Sequence, residues 1–391
     1  MRITHATRIL IVIISIFSLV GCQKEDIPPV SSNERTIFMY LPWSTNLTEY
    51  FYNNISDMEK AISRRGLHNE RVIVFLSTSA SEAEMFEIVY ENGHCRRDML
   101  KEYTTPAFTT ETGLTAILND MKSYAPAANY AMIIGCHGMG WLPVEQSRGR
   151  AITDFVYHWE YTDVPQTRFF GGLTAEYQTD VTTLSQSLSN SGLKMDYILF
   201  DDCYMSSLEA AYDLRHVTDY LIACPTEIMV YGMPYSTMGE YLLAEKPDYA
   251  AICNAFYQFY SSYQYPYGTI VVTDCSQLDE LADLMKLIHS SYSLDNSQIT
   301  YIQRMDGYSP VIFYDFGDYV RTLCGNDSEL YGYFIALMEK VIPYKAHTER
   351  FYTASRGPIT VEQYSGITTS EPSSNSRTID YPQTSWYLAT H

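Results

Sequence analysis

Two residues that could act together as a nucleophile and its proton acceptor follow apolar runs of this sequence. His137 comes directly after the run 130–136 and is flanked by glycines, which leave room beside an imidazole. Cys203 comes after the run 196–200 and two acidic residues. A thiolate is a strong nucleophile, and a histidine within reach can take the thiol proton and later protonate a leaving group. The pair therefore suggests covalent hydrolytic chemistry.

Neither residue is a specific signal by itself. A histidine after a strand is more often structural, and a cysteine at a strand end is more often an inert core residue. His137 and Cys203 lie 66 residues apart, which leaves room for one crossover and a long loop between neighbouring strands. A helix is expected from about Ser206, and the positive end of its dipole should lower the pKa of the Cys203 thiol.

The elements that must position this pair alternate between strand-like and helix-like runs. Continuous apolar runs predict strands at 35–41, 71–77, 130–136, 196–200, 220–224 and 269–273, with an added hairpin strand at 85–90. Helical spacing of apolar residues predicts helices at 46–65, 111–124, 183–190, 206–215, 248–263 and 278–290. This alternation predicts an α/β fold with a mostly parallel sheet, whose ligand sites lie beyond the carboxyl ends of the strands.

Composition narrows the classes of protein to consider. Hydrophobic residues make up 46% of the 391 residues, which is enough for a sizeable core. The formal net charge of −20 makes nucleic acid a poor partner, because phosphate binding needs a basic face. Eight cysteines are present, but no CxxC pair and no Cys/His spacing points to zinc, so no metal site is predicted.

The N-terminus is predicted to be a lipoprotein signal peptide over residues 1–21. Arg2, His5 and Arg8 precede an apolar run of about a dozen residues, which is too short to span a bilayer comfortably. The run ends in Leu-Val-Gly before Cys22, which resembles the lipobox of bacterial lipoproteins. Lipidation of Cys22 is therefore expected, and the alternative is an ordinary signal peptide followed by a chance cysteine.

The segment after Cys22 indicates where the protein resides. Lys-Glu-Asp at 24–26 resembles the signal that sends some Gram-negative lipoproteins to the outer face of the outer membrane. Prolines and serines complete a flexible tether over 22–34. We predict a cell-envelope lipoprotein, located at the outer membrane and exposed at the cell surface, whose acyl chains hold it to the membrane.

The motifs at the two strand ends resemble those of the clostripain family of cysteine peptidases, which belongs to the caspase-like clan. His-Gly-Met-Gly-Trp at 137–141 fits the family's His-Gly-x-Gly-Trp, and Asp-Asp-Cys-Tyr-Met at 201–205 fits its Asp-x-Cys-x-Met. The segment 223–235 resembles a family segment that begins Ala-Ser-Glu and closes Gly-Trp-Pro-Tyr. Trp-Tyr at 386–387 resembles the family's closing residues. The resemblance covers the chain from about residue 35 to its end.

The resemblance implies a fold and a division of the chain. The expected fold is a caspase-like three-layer α/β sandwich, in which a mostly parallel central sheet is flanked by helices and followed by a C-terminal extension. A caspase-like catalytic domain is expected over 35–275. Residues 276–391 are expected to form a helical or mixed subdomain that packs on the core.

The resemblance also implies roles for individual residues. His137 is the general base and acid, and Cys203 is the nucleophile. The backbone amides of Gly138 and Cys203 are the natural donors to an oxyanion. Asp201 lines the pocket for the residue before the cut, the P1 residue, and a carboxylate there selects arginine or lysine. The expected activity is a cysteine endopeptidase that acts on peptides or proteins with a basic P1 residue.

Departures from the family pattern leave a second function open. Asp202 stands where the residue is usually small, and a second carboxylate beside the thiol could raise the pKa of Cys203 unless it points away. Cys224-Pro225 replaces the usual Ser-Glu, and Met233 replaces the usual Trp. The alternative is a catalytically inactive surface binding lipoprotein on the same fold.

The remaining expectations concern processing and cofactors. The polar, aromatic stretch 142–172 is either a surface loop or the place where the chain cuts itself, since it carries Arg148, Arg150 and Arg168. The family includes members that respond to calcium, but no compact calcium loop is visible. Asp315 and Asp318 could bind calcium, although helix-cap and surface roles are favoured. No other cofactor is expected, and the protein is expected to be a monomer.

Overall fold

The computed structural model of the chain describes residues 33–144, 171–326 and 328–391. The predicted signal peptide, Cys22 and nearly all of the tether lie outside these ranges. So do residues 145–170 of the suspected processing segment, together with their three arginines. None of the helices in the described ranges has both the length and the apolar character that a bilayer span needs.

The seven predicted strands lie close to their predicted bounds, and the described residues form six more strands, short or exposed, that no apolar run predicted. In chain order they are β1 Arg35–Leu41, β2 Glu70–Ser77, β3 Glu82–Glu91, β4 His94–Thr104, β5 Asn129–Ile134, β6 Met195–Phe200, β7 Thr218–Ala223, β8 Thr269–Asp274, β9 Tyr314–Asp315, β10 Tyr344–His347, β11 Arg350–Thr353, β12 Gly357–Thr360 and β13 Thr368–Thr369. The residues of β1 are all buried, as expected of a strand covered on both faces.

Six of the helices in the described residues follow predicted amphipathic segments. In chain order the helices are α1 Thr48–Arg65, α2 Glu111–Tyr124, α3 Val181–Asn190, α4 Leu208–Leu214, α5 Tyr235–Leu242, α6 Tyr249–Ser262, α7 Leu278–Ser291, α8 Phe316–Cys324, α9 Glu329–Val341 and α10 Ser385–Thr390. The helices without a predicted segment are α5, α8, α9 and α10. Thr110 caps α2, because its side chain accepts a hydrogen bond from the Gly113 amide.

A single nine-stranded sheet forms the centre of the molecule, in the order β10-β8-β7-β6-β5-β1-β2-β3-β4. The five strands from β7 to β2 are parallel to one another. Contacts between helices form two groups, with α1, α5 and α6 in one and α2, α3, α4, α7, α8, α9 and α10 in the other. The predicted three-layer α/β fold with a mostly parallel central sheet is therefore confirmed.

The edges of the sheet differ from its centre. The β3–β4 hairpin adds antiparallel strands next to β2, and β8 and β10 add antiparallel strands next to β7. Most residues of β4 are partly or fully exposed, so β4 lacks the continuous apolar run that marks the buried strands. This is why the sequence pattern predicted only one hairpin strand here.

The C-terminal part of the chain enters the same sheet as the rest. β10 pairs with β8 in the central sheet, whereas β13 and β9 form a separate two-stranded sheet. Trp386 of α10 is 1% exposed and meets the Tyr212 ring of α4 edge-on, with ring centroids 5.5 Å apart. The described residues belong to one compact unit. The predicted boundary at residue 275 stays a prediction.

Candidate active site

The two strand ends that carry His137 and Cys203 lie side by side. β5 and β6 are parallel neighbours, with Ile134 opposite Phe200. The next amide along, that of Asp201, donates to the Ile134 carbonyl at 2.8 Å, which extends the pairing by one step. Because both strands end at the same edge of the sheet, the residues that follow β5 and β6 face a common region.

A buried carboxylate ties these two ends together. The Asp202 side chain is fully buried, and its Oδ1 accepts from the Cys136 amide at 2.6 Å. Its Oδ2 lies 3.5 Å from the Cys136 thiol, which donates to it. An ionised acceptor makes a shorter and stronger bond than a neutral one. Asp202 is therefore directed at the β5 end, although it stands next to Cys203 in sequence.

Gly138 lies against the backbone of Cys203. A Cβ built on Gly138 would lie 2.1 Å from the Cys203 carbonyl oxygen and 2.8 Å from the Cys203 nitrogen. No side chain fits in that space, so glycine is required by the close approach of two backbones. The contact brings together the two residues that sequence reasoning named as oxyanion donors. Their role in stabilising an oxyanion stays a prediction.

The Cys203 thiol is enclosed in the described form of the protein. It is fully buried, and its sulfur accepts from the Ile228 amide at 3.4 Å. Burial is the largest cause of a pKa raised well above the ordinary thiol value, and the charge of Glu227 is the next. Asp202 adds a smaller contribution. The expected lowering of this pKa by a helix dipole is not found, because desolvation outweighs it and α4 begins only at Leu208.

His137 is oriented by a residue that sequence reasoning did not single out. Its Nε2 lies 2.9 Å from the Asn46 Oδ1, and its backbone amide donates to the Gly171 carbonyl at 3.2 Å. Asn46 was predicted to lie in the first helix, but α1 begins two residues later and Asn46 lies in the loop after β1. The preceding Thr45 has a φ of 66°, a sparsely populated conformation for a residue with a branched side chain.

Asp201 is buried at the same edge and accepts two hydrogen bonds. The Met233 amide donates to its Oδ1 at 2.8 Å, and the Tyr235 hydroxyl donates to its Oδ2 at 3.1 Å. Both donors belong to the 223–235 segment, so the carboxylate fixes that segment beside β6. The role of Asp201 in selecting the P1 residue stays a prediction.

A further acid, Glu227, was missed by sequence reasoning. It is 6% exposed and accepts from the Tyr204 hydroxyl at 2.7 Å and from the Ala354 amide at 3.0 Å. Tyr204 follows the candidate nucleophile and has a φ of 59°, so the chain turns sharply after Cys203. Tyr204 and Glu227 share no motif in sequence, and only the fold brings them together.

The residues considered for calcium serve the structure of α8. Asp315 caps the helix and accepts from the Asp318 amide at 2.9 Å. Asp318 in turn pairs with Arg321. The helix-cap role of Asp315 is one that the sequence favoured, whereas Asp318 is buried and ion-paired rather than at the surface.

Comparison with known proteins identifies close relatives. The sequence profile of the clostripain family matches residues 39–343. A secreted cysteine protease from Bacteroides thetaiotaomicron, called iotapain, is 53% identical, with a TM-score of 0.85 over 92% of this chain and 99% of that one. Comparison with curated proteins gave no match.

Two other solved structures add information about this group. A clostripain from Bacteroides thetaiotaomicron in complex with the peptide inhibitor BTN-VLTK-AOMK is 54% identical, with a TM-score of 0.56 over 57% of this chain and 99% of that one. An inactive zymogen protease from Parabacteroides distasonis is 26% identical, with a TM-score of 0.75 over 93% of this chain and 99% of that one.

The Gly138–Cys203 contact predicts that a methyl group added at position 138 lowers the stability of the protein. Gly138→Ala should destabilise the protein by about 1–3 kcal/mol, because the new Cβ meets backbone that must shift. Gly332→Ala is the matched control, since Gly332 lies within α9 and a Cβ there meets nothing within 4 Å. The control should gain about 0.4–1 kcal/mol. Urea unfolding followed by circular dichroism measures both, and equal stability of Gly138→Ala and wild type would show that the two backbones are not in contact.

Proposed function

Because the chain belongs to the clostripain family of cysteine peptidases, we propose that it hydrolyses peptide bonds through a Cys203–His137 dyad and cuts after arginine or lysine. The observation that carries the proposal is the contact of Gly138 with the Cys203 backbone. It places the residue after the candidate base against the candidate nucleophile. The proposal assigns the backbone amides of Gly138 and Cys203 to the oxyanion of the reacting carbonyl.

The proposed reaction uses two proton transfers by the same imidazole. His137 takes the proton of the Cys203 thiol, and the sulfur attacks the carbonyl carbon of the scissile bond. The amides of Gly138 and Cys203 stabilise the negative charge that forms on the carbonyl oxygen. His137 then protonates the leaving amine, and a thioester remains on Cys203. Water, deprotonated by His137, hydrolyses the thioester and restores the thiol.

Asn46 acts in this proposal as a positioning residue. When the Nε2 hydrogen of His137 donates to the Asn46 Oδ1, the basic nitrogen of the ring is Nδ1. The hydrogen bond selects one tautomer and holds the ring plane. The strained Thr45 fixes the loop that presents the amide, and its hydroxyl accepts from the Leu173 amide at 3.3 Å. Leu173 and Gly171 therefore connect this loop and His137 to the end of the 142–172 segment.

The conformation with the buried Cys203 thiol is proposed to be a catalytically inactive precursor. A fully buried thiol with a raised pKa is mostly protonated and closed to substrate. Cutting within the 142–172 segment would release the chain on one side of Gly171, whose carbonyl accepts from the His137 amide. The relative from Parabacteroides distasonis, described as an inactive zymogen, supports such a state.

The preference for a basic P1 residue rests on the charge of the site. The buried carboxylates of Asp201, Asp202 and Glu227 receive hydrogen bonds from amide, hydroxyl and thiol groups, which are neutral donors. A guanidinium or ammonium group entering beside these carboxylates would be attracted by their negative charge. A related clostripain was solved with an inhibitor whose peptide, VLTK, ends in lysine.

The protein is further proposed to be a monomeric lipoprotein of the cell envelope, anchored through Cys22 at the outer membrane and exposed at the surface. Export is supported by the secreted relative from Bacteroides thetaiotaomicron. Peptides and proteins outside the cell would then be its substrates.

The dyad is tested by removing each member. Cys203→Ala and His137→Ala should each abolish nearly all hydrolysis of a fluorogenic lysyl peptide, and the double variant should lose no more than either single variant, because the two act as one unit. Asn46→Ala should lose about tenfold to a hundredfold, with a shifted pH profile of kcat/KM. Asn190→Ala is the matched control, because it removes a surface hydrogen bond that the Asn190 side-chain amide donates to the Glu111 carboxylate. Normal turnover by Cys203→Ala would show that the nucleophile is a different residue, whereas a wild-type protein that hydrolyses no peptide would favour the alternative of an inactive binding protein.

The pocket assignment is tested by Asp201→Asn, which keeps the shape of the side chain and removes its charge. It should cost about 1.5–3 kcal/mol, the value of a charge-assisted hydrogen bond, or about tenfold to a hundredfold in kcat/KM. The loss should be confined to substrates with arginine or lysine at P1. Glu227→Gln is the control for the neighbouring acid. If only Glu227→Gln lowers the preference for basic residues, the acid that selects P1 is Glu227.

The lipid anchor is tested by metabolic labelling of cells with a palmitate analogue. The protein should carry the label, and Cys22→Ser should remove it, because the other cysteines are not in a lipobox. Labelling that persists in Cys22→Ser would exclude this anchor.

A further inference from the structure

Two imidazoles and a carboxylate converge where α10 packs on α7, away from the strand ends. His289 lies in the last turn of α7, His391 follows α10, and Glu371 lies in the loop after β13. One ligand-type atom of each residue lies within 4.8 Å of the other two. The Nε2 of His391 and the Oε1 of Glu371 are 3.3 Å apart.

Each of the two imidazoles has a backbone carbonyl next to its Nδ1. The Nδ1 of His289 lies 3.2 Å from the Thr390 carbonyl oxygen, and the Nδ1 of His391 lies 3.3 Å from that of Tyr387. A carbonyl only accepts hydrogen bonds, so the contact of His289 favours the tautomer with its hydrogen on Nδ1 and its lone pair on Nε2. His391 has an acceptor beside each nitrogen, so its Nε2 would release a hydrogen when it binds a metal. Histidines that bind metals are usually held by such a bond from their other nitrogen.

The carboxylate is oriented in the same way. The Tyr381 hydroxyl donates to the Oε2 of Glu371 at 2.6 Å, which leaves Oε1 directed at His391. All three side chains thus have the supporting hydrogen bonds that a metal site requires.

We propose that His289, Glu371 and His391 bind a divalent transition-metal ion of the zinc class. Two imidazole nitrogens and one carboxylate oxygen are a ligand set that Zn²⁺ uses, with a water molecule in the fourth position. Ca²⁺ prefers six to eight oxygen ligands, so this donor set does not suit it. The ion would join the end of α7 to the end of α10.

Binding requires a defined movement of one ring. Bonds of about 2.0–2.2 Å in a tetrahedral site place ligand atoms about 3.4 Å apart, and the pair formed by His391 and Glu371 already has this spacing. The rings of His289 and His391 are stacked, with centroids 4.3 Å apart and planes at 26°. Because lone pairs lie in the ring planes, His391 must turn out of the stack. The Tyr319 hydroxyl, 3.2 Å from the Nε2 of His289, must also move aside.

The consequence would be a stronger attachment of α10 to the core. Trp386 of α10 is buried between Tyr212 of α4 and Phe316 of α8. A metal bond at the end of α10 opposes the local opening that would expose this tryptophan.

The site is tested by calorimetric titration of the full chain with zinc chloride. Cys203→Ala is used as the background, because a thiol and an imidazole at the strand ends could themselves bind zinc. We expect one ion per chain with micromolar affinity or better, and a Tm that rises with zinc but not with calcium. His391→Ala and His289→Ala should each weaken binding at least tenfold. His347→Ala, which removes a histidine packed on Tyr364 elsewhere, should bind zinc like the background. Co²⁺ should give the visible absorption of a tetrahedral site.

Two results would overturn the proposal. One is zinc binding that keeps its affinity and stoichiometry in His289→Ala and His391→Ala, which would place the ion on other side chains. The other is an absence of binding by the background protein at millimolar zinc. If His289→Ala fails to fold, Glu371→Gln decides the matter. It keeps a hydrogen-bond acceptor for Tyr381 and removes the anionic ligand, so unchanged affinity in Glu371→Gln also contradicts the site.

Discussion

The close approach of the β5 and β6 ends is the constraint on which the rest of this site depends. Two buried features enforce it: the absence of a side chain at Gly138 and the pair of bonds from Cys136 to Asp202. Both are local to the carboxyl edge of the parallel strands, where unpaired backbone and ligand sites concentrate. Without this approach, His137 and Cys203 would be two buried residues in separate loops.

The same packing that brings the ends of β5 and β6 together also buries the side chains of His137 and Cys203. Burial raises the pKa of the Cys203 thiol, and the negative charge of Glu227 raises it further. The acids that are proposed to favour a cationic substrate would therefore disfavour the thiolate until a cation is present. A basic P1 side chain would neutralise that charge as it binds. Substrate selection and activation of the nucleophile would then share one electrostatic cause.

The sequence predicted the central architecture well because the buried parallel strands are continuous apolar runs, and the ends of β1 were predicted to the residue. The sequence predicted less about features that depend on contacts between distant parts of the chain. The helical pattern of α1 extends back to Asn46, but this residue lies in the loop that precedes the helix. The direction of the Asp202 side chain depends on the neighbouring strand. The exposed β4 shows no apolar run at all. His289, Glu371 and His391 are far apart in the chain, so no ligand spacing pointed to them, and the sequence predicted no metal site. Carboxylates such as Glu227 are visible in sequence, but their neighbours are not.

The central claim is that Cys203 is the nucleophile of a peptidase that accepts lysine at P1. It is tested most directly by treating the active enzyme with a lysine-containing peptide that bears an electrophilic ketone, and locating the adduct by mass spectrometry. Cys136 provides an internal comparison, since its thiol lies at the same edge of the sheet but donates to Asp202. The account predicts one adduct per chain, on Cys203, that forms slowly or not at all in His137→Ala. An adduct on Cys136, or one that persists in Cys203→Ala, would contradict it.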